Sequence, residues 1–430
     1  MLVIAYPYPP MPSTGANRWA AMAKYLRRAG SEVTVLTTSA YGSLPSDLAD
    51  GVVRTGDLIA NERLRRVARR PRLPEPGGPL EVDKPAPSLF TAGLVPDIYV
   101  ATWVPGAVRA ARRLLRGARF DRVITTSPWE SGHLVGLWLG RARPAWIADF
   151  RDAWCFEPWR DPFPTAPQRA LDRTLERRVV EGADRVITVH KTLAMDFERR
   201  LGVPSGYVPN GWDPDLEEGA SRADVPELDP DRVSIVHTGK LWGGWGRTPA
   251  SLFEAIRRLR HEEPSVAARL ELVLVGRLDS DEQRLLGAAD LDGLVRHTGA
   301  VSRASSTALQ RRADALLLLT SRRLSWEAPG KLFEYLAAGR PIICLGQGNE
   351  AARVVTETRT GVTTAPDDVE GIMARLRDLL AGRVGDSYSP QGLDRYVYPA
   401  PADLVQDEIE RAIAHRKGGA GQGSDLRATA

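Results

Sequence analysis

Two hydrophobic patterns alternate along the chain. The first is a short, unbroken apolar run of the kind buried on both faces of a parallel sheet. LVIAY at Leu2–Tyr6 is such a run, and EVTVLT, DRVITTS, AWIADF and DRVITVH predict further strands. The second is a longer stretch with apolar residues every three or four positions, the mark of an amphipathic helix. In NRWAAMAKYLRRAG, Trp19, Met22, Ala23 and Leu26 fall on one face and Gly30 supplies the stop. Strand, helix and strand in this order predict a right-handed crossover and a parallel sheet. PQRALDRTLERRVVEGA and KTLAMDFERRLG predict further helices.

The rhythm restarts after a Gly/Asp/Pro-rich stretch. VSIVHTG, LELVLVG, ALLLLT, RPIICLG and TGVTTA then predict strands. PASLFEAIRRLR, DEQRLLGAA, SSTALQRRA, KLFEYLAAG and VEGIMARLRDLLAG predict the intervening helices. The expected architecture is α/β, two doubly wound Rossmann-like domains facing across a cleft. The first domain covers residues 1–210, with an irregular Pro/Arg-rich insertion at 42–105. A linker covers 211–231 and the second domain 232–395. A C-terminal helix at 396–417 is read as returning to the first domain, and the tail 418–430 as disordered.

Composition narrows the class. A chain of 430 residues exceeds one ordinary core. The 58 basic residues outnumber the 54 acidic ones by only four, so nucleic acid is not indicated as a partner. Cys155 and Cys344 lie far apart, which suits a reduced, cytoplasmic protein. No apolar run approaches the roughly 20 residues a membrane span needs. MLVIAYPYPP lacks a basic n-region and a cleavage site, so it reads as a strand rather than a signal peptide. The basic stretch NERLRRVARR leaves a peripheral contact with the inner face of a membrane open beside a plain solvated surface.

Ligands of doubly wound sheets sit beyond the C-terminal ends of the strands, so candidate chemistry is sought in the loops there. Gly15 precedes a helix and could admit an anion or simply make a turn. HTGKLWGGWGRTP combines Gly239 with the cations Lys240 and Arg247, a natural diphosphate clamp. Its spacing is not that of a nucleotide-hydrolysing loop. In SWEAPGKLFEYLAAGRPI, Gly330 and Lys331 open a helix whose start favours anions. Glu334, one turn in, can accept from a ribose diol or be an ordinary surface glutamate. In ADFRDAW, Asp149, Arg151 and Asp152 suit either hydroxyl recognition or an ion-pair network. His133 in SPWESGH is either structural or an acid/base. No HExxH, Cys/His cluster, GxSxG or GxGxxG appears, so a metal centre, a serine hydrolase and a nicotinamide enzyme are disfavoured. The D-x-D pairs read as turns and caps.

Together the ordered segments YPYPPMPSTGANRWAAMAKYLRRAGSEVTVLT, ADFRDAW, ADRVITVHKTLAMDFERRLGVPSGYVPNGWDPD, HTGKLW, LELVLVGRL, VRHTGAVSR and GKLFEYLAAGRPI resemble glycosyltransferase family 4 of the GT-B fold. The likeness spans nearly the whole chain. It implies a nucleoside-diphosphate-sugar donor held by the second domain, an acceptor on the first, and transfer with retention. No cofactor and no obligatory metal are implied. By position it assigns catalysis to Lys240, Arg247 and His133. Donor binding falls to Gly239, Arg277, Glu327, Gly330, Lys331, Leu332 and Glu334. Gly15, Arg18, Asp149, Arg151 and Asp152 belong to acceptor or first-domain loops, with Gly15 resembling the loop glycine near the diphosphate. Family members usually place seven residues between their paired glutamates. Counting back from Glu334 reaches Trp326, so Glu327 is one residue out of register.

The function expected is therefore glycosyl transfer to a hydroxyl or other nucleophile, in glycan, glycolipid or secondary-metabolite synthesis. The rivals are a sugar-nucleotide epimerase or hydrolase of the same fold, and a non-catalytic sugar-nucleotide-binding scaffold.

Overall fold

The computed structural model describes residues 1–11, 13–58, 93–157, 161–217, 225–239, 241 and 248–425. The chain divides into two compact units. One comprises Met1–Asn210 with Tyr398–Ala430, the other Gly211–Val397.

The first unit is built on a parallel sheet of seven strands: β1 (Leu2–Ala5), β2 (Thr34–Thr38), β3 (Val52–Thr55), β4 (Arg122–Thr126), β5 (Ala145–Phe150), β6 (Arg185–Thr188) and β7 (Gly206–Tyr207). Their order is β3-β2-β1-β4-β5-β6-β7. All six residues of β5 are buried, five of them apolar and the sixth Asp149. The helix Thr14–Arg28 starts earlier than its apolar stripe, because the Ser13 hydroxyl caps it by accepting from Ala16 N–H (3.1 Å). The helix Ala400–Asp425 packs on that helix and on β5 and β6. Val405 and Ile409 are wholly buried there, each contributing about 1.5–3 kcal/mol. Tyr398 stacks on Tyr25 at 5.2 Å.

The second unit has six parallel strands: β8 (Val233–Thr238), β9 (Leu270–Val275), β10 (Val295–Gly299), β11 (Ala315–Leu319), β12 (Ile342–Leu345) and β13 (Gly361–Thr364). Their order is β10-β9-β8-β11-β12-β13. β9 and β11 are buried throughout. The helix Gly330–Ala338 follows β11 and ends at Gly339, whose φ of +68° is the left-handed cap that glycine supplies.

Two expectations change. The segment 42–105 is not wholly irregular: it contributes the edge strand β3, and the helix Val104–Gly117 begins inside it. β3 escapes a hydrophobicity reading because all four residues are only half-buried. NERLRRVARR lies outside the described residues. The tail is not disordered from Gly418, since the last helix continues to Asp425. The acid pairs do serve local turns and caps. Asp279 accepts from the N–H groups of Asp281 and Glu282 at the start of the helix Ser280–Ala288. Asp213 and Asp229 each accept from the N–H two residues on. No described helix is long and apolar enough to cross a membrane.

Candidate functional site

Strand order reverses between β1 and β4 in one unit and between β8 and β11 in the other. Beside such a reversal, neighbouring loops diverge and leave a crevice at the C-terminal strand ends.

In the second unit, Gly239 follows β8 with φ +86°, a conformation side-chain-bearing residues rarely adopt. A Cβ on Gly276, just past β9, would lie 2.8 Å from the Gly239 carbonyl oxygen. The two loops therefore touch backbone to backbone, which only glycine permits. The helix Gly330–Ala338 opens beside them without a capping side chain, leaving its first turn suited to an anion. Lys331 Nζ donates to His237 Nε2 (3.2 Å). The same side chain runs over Gly239, where an added Cβ would meet Lys331 Cε at 2.8 Å. One turn on, the Tyr335 hydroxyl accepts from Thr238 N–H (3.0 Å). Burial pushes that phenol up to about 12, so it stays protonated. Gln310 Nε2 donates to Thr238 Oγ1 (2.9 Å). Gly239, Gly330 and Lys331 are thus brought together, and two bonds hold the helix to the end of β8.

The other donor candidates separate. Leu332 is buried in the core and its N–H is taken by Pro329 O (2.9 Å), so its placement is that of a packing residue, against the donor-binding role expected. Glu327 is buried, with Oε2 accepting from Ser321 N–H (2.7 Å). Its carboxylate braces the loop between β11 and the helix. Glu334 is exposed on the helix, 3.7 Å from Arg303. Arg277 is exposed beyond Gly276. Lys240 and Arg247, with Trp242 and Trp245, lie outside the described residues.

In the first unit, Gly15 faces the loops after β4 and β5. A Cβ there would lie 2.8 Å from Arg151 Nη1 and 3.3 Å from Pro128 Cδ. Arg151 pairs with Asp152 (2.9 Å) and is half-buried. Arg18 and Asp149 are different: both are closed off from solvent. Asp149 accepts from Trp19 Nε1 (2.7 Å), Thr126 Oγ1 (2.9 Å) and Arg18 Nη2 (3.3 Å). Arg18 also donates to Pro209 O (2.9 Å) and Asn210 Oδ1 (3.0 Å). This is the ion-pair network, not hydroxyl recognition, and it ties the first helix to β5 and to the end of the unit.

His133 is corrected as well. It is fully buried, stacked on Phe150 at 4.3 Å, with Nδ1 2.9 Å from Thr125 Oγ1. Burial lowers its pKa to about 3, so near neutrality the ring stays uncharged. Its placement is structural, not that of a catalytic acid or base. His237 stands at a strand end in the sequence. Nothing there joins it to Lys331, 94 positions later.

Two family models match the chain in order. The Glycosyl transferase 4-like domain matches residues 13–211 and the Glycosyl transferases group 1 model matches residues 232–382. None of the curated protein sequences compared with it matches. Among solved structures it is similar to the sucrose-phosphate synthase tll1590 from Thermosynechococcus elongatus, at 16% identity and TM-score 0.62, covering 100% of this chain and 99% of that one. An E. coli structure titled trehalose-6-phosphate bound with UDP-2-fluoro glucose gives 12% identity and TM-score 0.58, with 98% of each chain covered. A putative UDP-N-acetylglucosamine 2-epimerase from Listeria monocytogenes gives 13% and 0.54, with 95% of each covered. At such identities these likenesses show fold alone. The family is carried by the two ordered domain matches, and the chain belongs to the group 1, family 4 type of GT-B glycosyltransferases.

Proposed function

We propose that the protein moves a sugar, with retention of anomeric configuration, from a nucleoside diphosphate to a hydroxyl of an acceptor. The observation that carries this is the cluster of Lys331, the uncapped start of the helix Gly330–Ala338 and the side-chain-free surface of Gly239. A cation, first-turn N–H groups and open backbone in one place suit a diphosphate. Glu334 on the same helix would accept from the ribose diol, and Lys240 and Arg247 would add cations. The UDP-sugar analogue named for the trehalose-6-phosphate structure supports the donor class.

In the proposed reaction the bond from the anomeric carbon to the phosphate oxygen breaks. The acceptor oxygen bonds to that carbon from the same face, and its proton passes to the departing phosphate. The diphosphate leaves with its electron pair stabilised by the cations. No protein base is needed, which agrees with the burial of His133. The absence of an obligatory metal belongs to the same proposal, as does an acceptor held by the first unit. Cys155 and Cys344, not joined to each other by a disulfide, suit a cytoplasmic setting.

The test is a thermal-shift screen of UDP-, GDP-, ADP- and dTDP-sugars, followed by product analysis with and without acceptors. A true donor at a hundred times its Kd should stabilise the protein by about 2.7 kcal/mol. If no nucleotide sugar shifts the melt, the donor reading fails. If donor alone is converted to its epimer, the epimerase reading replaces it.

A further inference from the structure

Lysine is a point charge on a flexible stem, and an ammonium free to wander is a poor half of a diphosphate site. The second unit holds this one in place. His237, at the end of β8, is buried. Its Nδ1 lies 2.9 Å from the Leu317 carbonyl of β11, which can only accept, so Nδ1 carries a hydrogen. Its Nε2 lies 3.2 Å from Lys331 Nζ, which can only donate, so Nε2 carries a lone pair. Both contacts fit one form of the ring, the neutral Nδ1–H tautomer. A doubly protonated ring would set one cation against another.

The same ring therefore reads the sheet with one nitrogen and holds the ammonium with the other. Tyr335, four residues beyond Lys331 and so on the same helix face, bonds Thr238 N–H, adjacent to His237. Helix start, ammonium and strand end are fixed to one another by two adjacent residues of β8.

We propose that His237 is a positioning residue of the donor site: it holds the Lys331 ammonium over Gly239 at the helix start, ready for the donor's diphosphate. This rests on the donor reading given under Proposed function. His237 is not itself required to touch the donor. Its contribution is to remove the cost of ordering a long side chain when the diphosphate arrives.

Calorimetric titration of the full chain with UDP, GDP and ADP, and with uridine, guanosine and adenosine, tests this. The variants are His237→Ala, His237→Gln, Lys331→Met and the double His237→Ala/Lys331→Met. Lys331→Met should weaken binding of the preferred diphosphate about 10- to 100-fold. His237→Ala should weaken it about 3- to 10-fold, and His237→Gln, which restores an acceptor for the ammonium, should recover most of that loss. In the Lys331→Met background His237→Ala should cost nothing more. Nucleoside binding should change less than about twofold throughout, because it involves no phosphate. A merely structural histidine would instead weaken nucleoside and diphosphate alike, or give losses that multiply in the double variant. Either result overturns the proposal, as does a His237→Ala protein that binds diphosphate like the parent. A Lys331→Met protein of undiminished affinity overturns it while sparing the donor reading. If the parent chain binds no diphosphate, the donor reading itself falls and takes this proposal with it.

Discussion

His133 offers a measurable consequence of burial. In the folded chain its pKa is held at about 3, while an unfolded histidine titrates at its ordinary value of about 6.5. Between those values the unfolded state binds a proton that the folded state refuses. Stability from this group is thus fully present above pH 6.5 and is lost as pH falls toward 3. The slope is about 1.4 kcal/mol per pH unit, so roughly 2 kcal/mol should disappear between pH 6.5 and pH 5. The perturbation is His133→Gln, which keeps a polar group near Thr125 but does not titrate. Urea unfolding of both proteins at half-unit steps from pH 5 to 8 reads the effect. Urea is chosen because it adds no ionic screening. The tryptophans Trp19, Trp103, Trp146 and Trp154, all buried in the first unit, report its unfolding. The variant will carry some constant loss of stability, so the comparison is of slopes. The difference in stability between the two proteins should narrow by about 2 kcal/mol on going to pH 5. A gap that stays constant across the window would refute the reasoning, because it would mean that His133 protonates in the folded state as readily as in water.

The buried pair Arg18–Asp149 should behave as a unit. Asp149→Ala leaves a guanidinium uncompensated and should cost the first unit about 3–5 kcal/mol in a urea melt, with Asp149→Asn costing less because the hydrogen bonds survive in part. Gly361 pairs with Ile342 across β13 and β12, and an added Cβ would fall 1.9 Å from the Ile342 carbonyl oxygen. Since that neighbour is backbone, Gly361→Ala should destabilise the second unit by about 1–3 kcal/mol or more, and an unchanged melt would show that β13 shifts freely.

Much of the fold was legible because parallel strands buried on both faces are predominantly apolar. AWIADF and ALLLLT could hardly be read otherwise. β3 and β10 were missed for the converse reason: they lie at the sheet edges, where VVRT and VRHTG need no continuous apolar run. In the helix Val104–Gly117 the buried residues are Val104, Ala107, Val108 and Ala111, so half of its apolar stripe is alanine set among arginines. Local placement was legible where the pattern announces it, as with Gly330–Lys331 at a helix start. It was not legible where the partner is remote. Asp149 reads as a loop carboxylate until Arg18 and Trp19, more than a hundred positions earlier, close around it. His133 looks like a loop histidine until the helix Ser131–Trp138 turns it under Phe150.

The helix Ala400–Asp425 makes the first unit discontinuous: the chain leaves it at Asn210 and re-enters at Tyr398. A ribosome adding about 5–20 residues per second therefore spends on the order of 10–40 s on Gly211–Val397 before the covering helix can be made. Throughout that interval the surface that Val405 and Ile409 later cover is open to water and to neighbouring nascent chains. Birth order and completion order are reversed in this protein. The half synthesised second is the first able to finish folding, and the half synthesised first waits for the last helix to close it.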